Sequence, residues 1–91
     1  MPKKVELKES DVLKQVRELL RWRDWYVIRN HQSMGSHRGL SDLTAIRSGR
    51  VLWIEIKKPG GKLSDHQERF KTEIEGHGGT YLVVTKIEDL E

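Results

Sequence analysis

Apolar residues fall at Val12, Leu13, Val16, Leu19 and Leu20 within residues 9–23, the spacing of a helix with one buried stripe. Glu9 lies three and four positions before Val12 and Leu13, which puts it on the same inward side. Lys8 or Ser10 marks the helix start. The pattern then changes. Residues 25–30, Trp-Tyr-Val-Ile-Arg-Asn, are aromatic and β-branched and predict a strand. Residues 31–41 form a polar loop, and strands follow at about 42–47 and 50–58. Pro59-Gly60-Gly61 ends the second of these. Ser64-Asp65-His66-Gln67 has the form of a capping box, with Ser64 at the N-cap and Gln67 at N3. A helix runs from there to about Glu75 with Phe70 and Ile74 inward, closed by Gly76, Gly78 and Gly79. Thr80-Tyr-Leu-Val-Val-Thr85 is the last strand. The strand–helix–strand crossover makes the last two strands parallel. The order is αβββαβ, an α/β fold with a mixed sheet flanked by helices.

Between the two middle strands, Arg47-Ser48-Gly49-Arg50 reads as a tight β-hairpin. A two-residue loop at Ser48-Gly49 pairs Arg47 with Arg50, Ile46 with Val51, Thr44 with Trp53 and Asp42 with Glu55. A four-residue loop gives the same register. Directly opposed Cβ atoms lie about 4.5–5.5 Å apart, and like charges so placed repel. The strand Val51-Leu-Trp-Ile-Glu-Ile-Lys57 is apolar on both faces, as in a central, covered strand. Val51, Trp53, Glu55 and Lys57 share one face; Leu52, Ile54 and Ile56 share the other. Charges in that setting are costly unless paired or bound to a metal. A divalent cation between Asp42 and Glu55 removes the repulsion, and a metal-dependent nuclease needs such a pair. Each residue also has an ordinary explanation. Glu55 and Lys57 make a salt bridge at a frayed strand end, Asp42 is a turn residue, Glu9 sits well in a first helical turn, and Gln67 completes the capping box. The predicted adjacency of Asp42 and Glu55 favours the chemical reading.

At 91 residues the chain is one small domain, 1–91, with room for a modest core that a second subunit would reinforce. It has no cysteine, which excludes disulfides and thiolate zinc sites. No apolar run approaches the roughly 20 residues needed to span a bilayer. Met1-Pro2-Lys3-Lys4 lacks the apolar stretch of a signal peptide, so an intracellular location is expected. The net charge of +3 is unevenly spread: residues 1–58 carry 13 Lys/Arg and 7 Asp/Glu, and residues 59–91 carry 4 and 7. A basic rim around an acidic centre suits a polyanion held over a metal site.

The residues Glu9, Gly39-Leu-Ser-Asp-Leu43, Ile54-Glu-Ile-Lys-Lys-Pro59, Leu63-Ser-Asp-His-Gln67 and Gly78-Gly-Thr-Tyr-Leu-Val-Val84 resemble, in order and spacing, the PD-(D/E)XK nuclease superfamily. Over Glu9 to about Val84 the chain looks like a stand-alone VRR-NUC domain with a restriction-endonuclease-like core. It departs in having Ser41 where the family usually has proline before the aspartate, and Arg29 is the only basic residue in its strand. Archaeal-type Holliday junction resolvases share the Glu, Asp, Glu-x-Lys order.

The resemblance implies that Asp42 and Glu55 bind the metal, with the Ile56 carbonyl a further ligand and Glu9 completing or orienting the shell. It implies that Lys57 positions or deprotonates the attacking water, supported by Gln67. Magnesium prefers oxygen ligands, a bound metal acidifies water, and lysine side chains can act as bases when desolvated beside charges. Arg29, His31, His37 and Arg38 around the 31–41 loop are read as phosphate contacts, with a solvated polar loop as the other reading. His66 and His77 are expected on the surface, and Trp22, Trp25 and Trp53 in the core. The expected activity is a Mg2+- or Mn2+-dependent, structure-specific DNA endonuclease, a homodimer cutting Holliday-type four-way junctions. A nuclease acting on flap or nicked duplex DNA, or a non-catalytic DNA-binding module of the same fold, stays open.

Overall fold

The computed structural model describes residues 7–90; Met1-Pro2-Lys3-Lys4 therefore lies outside the described residues. Helix α1 spans Glu9–Trp22, followed by strands β1 (Tyr26–Arg29), β2 (Leu43–Arg47) and β3 (Arg50–Ile56), helix α2 (Asp65–Gly76), strand β4 (Thr80–Val84) and a 3-10 turn, η1 (Ile87–Leu90). The sheet order is β1-β2-β3-β4. β1–β2 and β2–β3 are antiparallel and β3–β4 is parallel, as the crossover requires.

The hairpin has the predicted register. Arg47 pairs with Arg50, Ile46 with Val51 and Thr44 with Trp53. Ser48 and Gly49 have φ of 50° and 78°, the positive pair of a type I′ turn, whose twist matches the strands it joins.

Helix α1 starts at N-cap Lys8, whose backbone N–H donates to Asp11 Oδ2 at 3.1 Å. Its stripe of Val12, Leu13, Val16 and Leu20 packs on Val27, Leu43, Ala45, Ile54 and Ile56, forming the core on one sheet face. Helix α2 lies on the opposite face over the β3–β4 side. There Phe70 meets Trp53 and Tyr81 edge-on, with ring centroids 5.5 and 6.1 Å apart. Phe70 is buried as predicted, whereas Ile74 is half-buried.

Three expectations change. The strands are shorter than 25–30, 42–47, 50–58 and 80–85, and β2 starts one residue later, leaving Asp42 in the bend before it. Trp22 is 84% exposed, not core: at two residues beyond Leu20 it points to the far side of the helix. Trp25 packs against the core edge and Trp53 against Phe70. Finally, the chain past β4 forms η1, which sets Ile87 and Leu90 on the core. Its Asp89 Oδ2 accepts the backbone N–H of Thr85 at 2.9 Å and of Lys86 at 3.3 Å.

Candidate active site

The carboxylate pair forms where β2 begins and β3 ends. The backbone ladder stops at Leu43–Ile54, so Asp42 is not a ladder partner of Glu55. Its side chain continues the pairing instead: Asp42 Oδ2 accepts the backbone N–H of Ile56 at 2.8 Å. That bond holds the carboxylate beside the end of β3.

The bend carrying Asp42 is fixed from three sides. Asn30 donates its backbone N–H to the Asp42 carbonyl at 2.9 Å. The Asn30 Nδ2 group donates to the Ser41 carbonyl at 3.0 Å and to Thr44 Oγ1 at 2.9 Å. Ser41 is completely buried, and its hydroxyl donates to the Leu43 carbonyl at 3.0 Å. A proline would stiffen this bend through its ring; here a buried hydroxyl and an asparagine do so through hydrogen bonds. Sequence reasoning missed Asn30 and Thr44, because an Asn at a strand end is an ordinary turn signal and its partners lie 11 and 14 residues away.

Glu55 is 3% exposed on the α2 face of β3. Gln67 Nε2 donates to its Oε2 at 3.2 Å, and Lys57 Nζ lies 4.0 Å from the same oxygen. The other oxygen, Oε1, is buried with no hydrogen-bond partner. Burial, then the Asp42 charge beside it, raises the Glu55 carboxyl to about 8, with Lys57 opposing. A buried carboxyl with one oxygen unpaired and an acidic neighbour has a single lysine, at 4.0 Å, to offset its charge. That donor set fits a hard divalent cation, which binds oxygen.

Gln67 completes the predicted capping box, and its amide reaches Glu55 rather than Lys57. Its Oε1 accepts the Ser64 backbone N–H at 2.9 Å and Ser64 Oγ accepts the Gln67 backbone N–H at 3.2 Å, completing the capping box. The same side chain's amide reaches Glu55, so the start of α2 is tied to the carboxylate pair. The 31–41 loop is seated against this helix start at Gly39. With φ of 76°, a Cβ there would fall 2.1 Å from the His66 carbonyl oxygen, so only glycine fits.

Glu9 Oε1 accepts the Lys58 backbone N–H at 3.1 Å. Glu9, Arg29, Asp42 and Ile56 line one cleft of about 210 Å³ on the α1 side. Glu9 thus stands at the rim of the site, although among the described residues no three His, Cys, Asp or Glu side chains cluster as a metal cage. Its exposed position differs from the inward side expected of it, because it sits in the first turn, beyond the end of the buried stripe.

The four residues read as phosphate contacts are dispersed. Arg29 lines the cleft with Asp42. His37 and Arg38 line a second cavity of about 450 Å³ between the loop and the start of α2, together with His66 and Gln67. The His37 ring also meets Phe70 edge-on at 5.4 Å. His31 is exposed and lines neither cavity. His77 caps α2, its Nδ1 2.8 Å from the Glu73 carbonyl. Among the described residues, no helix is long and apolar enough to cross a membrane.

No curated protein matches the chain. A solved structure described as a VRR_NUC domain superposes with a TM-score of 0.82 at 22% identity, covering 93% of this chain and 91% of that one, so the fold is shared. The model of the VRR-NUC domain family matches residues 5–86. The match runs from before α1 to beyond β4, and the chain therefore belongs to the VRR-NUC domain family.

Proposed function

We propose that the protein is a divalent-metal-dependent, structure-specific DNA endonuclease that hydrolyses phosphodiester bonds, with the four-way Holliday-type junction as its favoured substrate. Membership of the VRR-NUC family makes the chain a nuclease-type module that acts on DNA. The observation that carries the finer reading is the buried Glu55, with one oxygen unpaired, beside Asp42 and within 4.0 Å of Lys57.

Asp42 and Glu55 would hold Mg2+ or Mn2+, with the Ile56 carbonyl and Glu9 as the nearest further oxygens. The bound ion would polarise the scissile phosphate and acidify a water. The chain's own groups do the rest. Ile56 N–H and the Asn30–Ser41–Thr44 cluster fix where Asp42 points. Gln67 orients Glu55. Lys57, carried two residues along the same face, directs the attacking water or takes its proton. Arg29 stands in the cleft with Asp42, placed to hold a phosphate across from Glu9.

A homodimer is part of this reading, because a two-fold junction offers two equivalent cutting positions and a C2 pair presents the same site twice. The fold supplies a surface for it. Helix α2 covers only the β3–β4 side of its sheet face, and Tyr26, Ile28, Ile46 and Val51 on the remainder are 69, 40, 37 and 36% exposed.

The test is cleavage of duplex, nicked, flap and four-way junction DNA with Mg2+, Mn2+ or EDTA. Paired cuts in opposed junction strands, abolished by EDTA, are expected. Preferential cutting of flaps or nicked duplex replaces the substrate but keeps the chemistry. Junction binding with no cleavage under any metal overturns the enzyme reading in favour of a DNA-binding module.

A further inference from the structure

Tyr81 lies on β4 directly opposite Trp53, two residues from the position facing Glu55. Its ring is held by Phe70 of α2, and the residue is 6% exposed. Its hydroxyl is buried without any hydrogen-bond partner. A buried, unpaired hydroxyl is costly and rare in a native protein. Among the described residues, the other unpaired buried oxygen on this side of the sheet is Glu55 Oε1. One is a donor and the other an acceptor, carried on neighbouring strands and facing the same helix. Diagonal neighbours across a sheet are within reach of a long side chain.

We propose that Tyr81 is a positioning residue for Glu55: its hydroxyl donates to the Glu55 carboxylate that would hold a divalent cation. The inference rests on the metal-site reading above. With Gln67 Nε2 on Oε2 and Tyr81 on Oε1, both carboxylate oxygens are fixed from the α2 side. Each oxygen has a second lone pair, so two such bonds leave room for a metal. The hydroxyl is a dependable donor here, because burial and then the charges of Glu55, Asp42 and Glu68 push its ionisation well above the ordinary tyrosine value.

The test is Tyr81→Phe, which keeps the ring on Phe70 and removes only the hydroxyl. Mn2+ affinity is measured by titration calorimetry on the full chain without DNA, beside the parent and Glu55→Gln. Melting is followed in EDTA and in Mn2+. The expected result is a loss of about tenfold in Mn2+ affinity for Tyr81→Phe, the size of one hydrogen bond to a charged group. Its melting temperature in EDTA should equal or exceed the parent's, and its affinity for junction DNA in EDTA should be unchanged. Parental Mn2+ affinity in Tyr81→Phe overturns the inference while leaving the metal site standing. A fall in EDTA stability with unchanged Mn2+ affinity assigns the hydroxyl a purely structural role and also overturns it. Absence of Mn2+ binding by the parent removes the metal site and this inference with it.

Discussion

The carboxylate of Asp42 accepts the backbone N–H of Ile56 at 2.8 Å, extending the β2–β3 hairpin by a side chain where the backbone ladder has stopped. The bond fixes one carboxylate oxygen to the scaffold and leaves its other oxygen to the site. It also holds Asp42 close enough to Glu55 for its charge to oppose ionisation there. The strand end is thus arranged around two acids that repel each other, one of them buried.

Replacing either acid should separate chemistry from binding. Asp42→Asn keeps an oxygen able to accept the Ile56 N–H, so the bend should survive. Glu55→Gln keeps the shape and removes a buried ionisable group. Both should lose cleavage by at least about a hundredfold, the scale on which removal of a key electrostatic group acts. Junction binding, supplied by Lys and Arg, should persist. Glu55→Gln should melt at or above the parent's temperature in EDTA, since the repulsion is relieved. Gel assays of cleavage and binding, with thermal melts, check this; near-parental cleavage by either variant with Mg2+ removes the site assignment.

Lys57 is held 4.0 Å from Glu55 Oε2 and is half-buried at the end of the strand. As a cation it cannot ligate the metal, so Lys57→Ala should keep Mn2+ affinity within a fewfold and lose turnover. Lys57→Arg separates two roles. Arginine stays protonated and supplies charge but takes no proton. A base role predicts an Arg variant as poor as the Ala variant, whereas a parental rate in the Arg variant leaves only charge or positioning. Single-turnover kinetics on saturating junction DNA make the comparison.

Much of this was legible in the chain because the signals are local. Ser48-Gly49 between alternating apolar residues set the hairpin register as far as Leu43–Ile54, and beyond it the Asp42 side chain bonds Ile56 in place of a ladder pair with Glu55. Ser64 and Gln67 announced the start of α2. What escaped was non-local or against composition. Asn30 meets its partners across a loop, and the pairing of Tyr81 with Trp53 depends on a parallel register that no turn dictates. Trp22 is aromatic and close to the buried stripe in sequence, but residue type does not fix its angle on the helix. The helical period from Leu20 puts it outside. The η1 turn was missed because four residues are too few for a periodic signal.

The raised Glu55 carboxyl makes the metal-free fold sensitive to pH. Its ordinary value of 4.5 applies in the unfolded chain, and about 8 in the folded one. Between these the folded state binds more protons, so this group's contribution to stability falls as pH rises from about 4.5 to about 8. Above about 8 the full penalty of an ionised, buried carboxylate remains. Melting of the parent minus that of Glu55→Gln isolates the effect from other groups. That difference should decline through the window in EDTA and flatten when Mg2+ is present. A pH-independent difference in EDTA contradicts the burial of the charge.

Assembly is tested at the sheet face that α2 leaves open. Tyr26 on edge strand β1 is paired with Ile46, and both are exposed there with Ile28 and Val51. An apolar patch beside an edge strand invites a partner, and a C2 interface brings the patch onto itself. If a second copy sits there, Tyr26→Lys should weaken dimerisation by tenfold or more, since buried aromatics dominate such interfaces at about 2 kcal/mol each. Tyr26 is 69% exposed in the single chain, so the variant should fold and bind Mn2+ as the parent does. On a four-way junction it should nick one strand and lose the paired cut. Analytical ultracentrifugation of the two proteins, free and on junction DNA, decides the point. A parent that is monomeric in both states sinks the paired-site model and leaves a single-site nuclease. A variant that dimerises as well as the parent moves the interface to another surface.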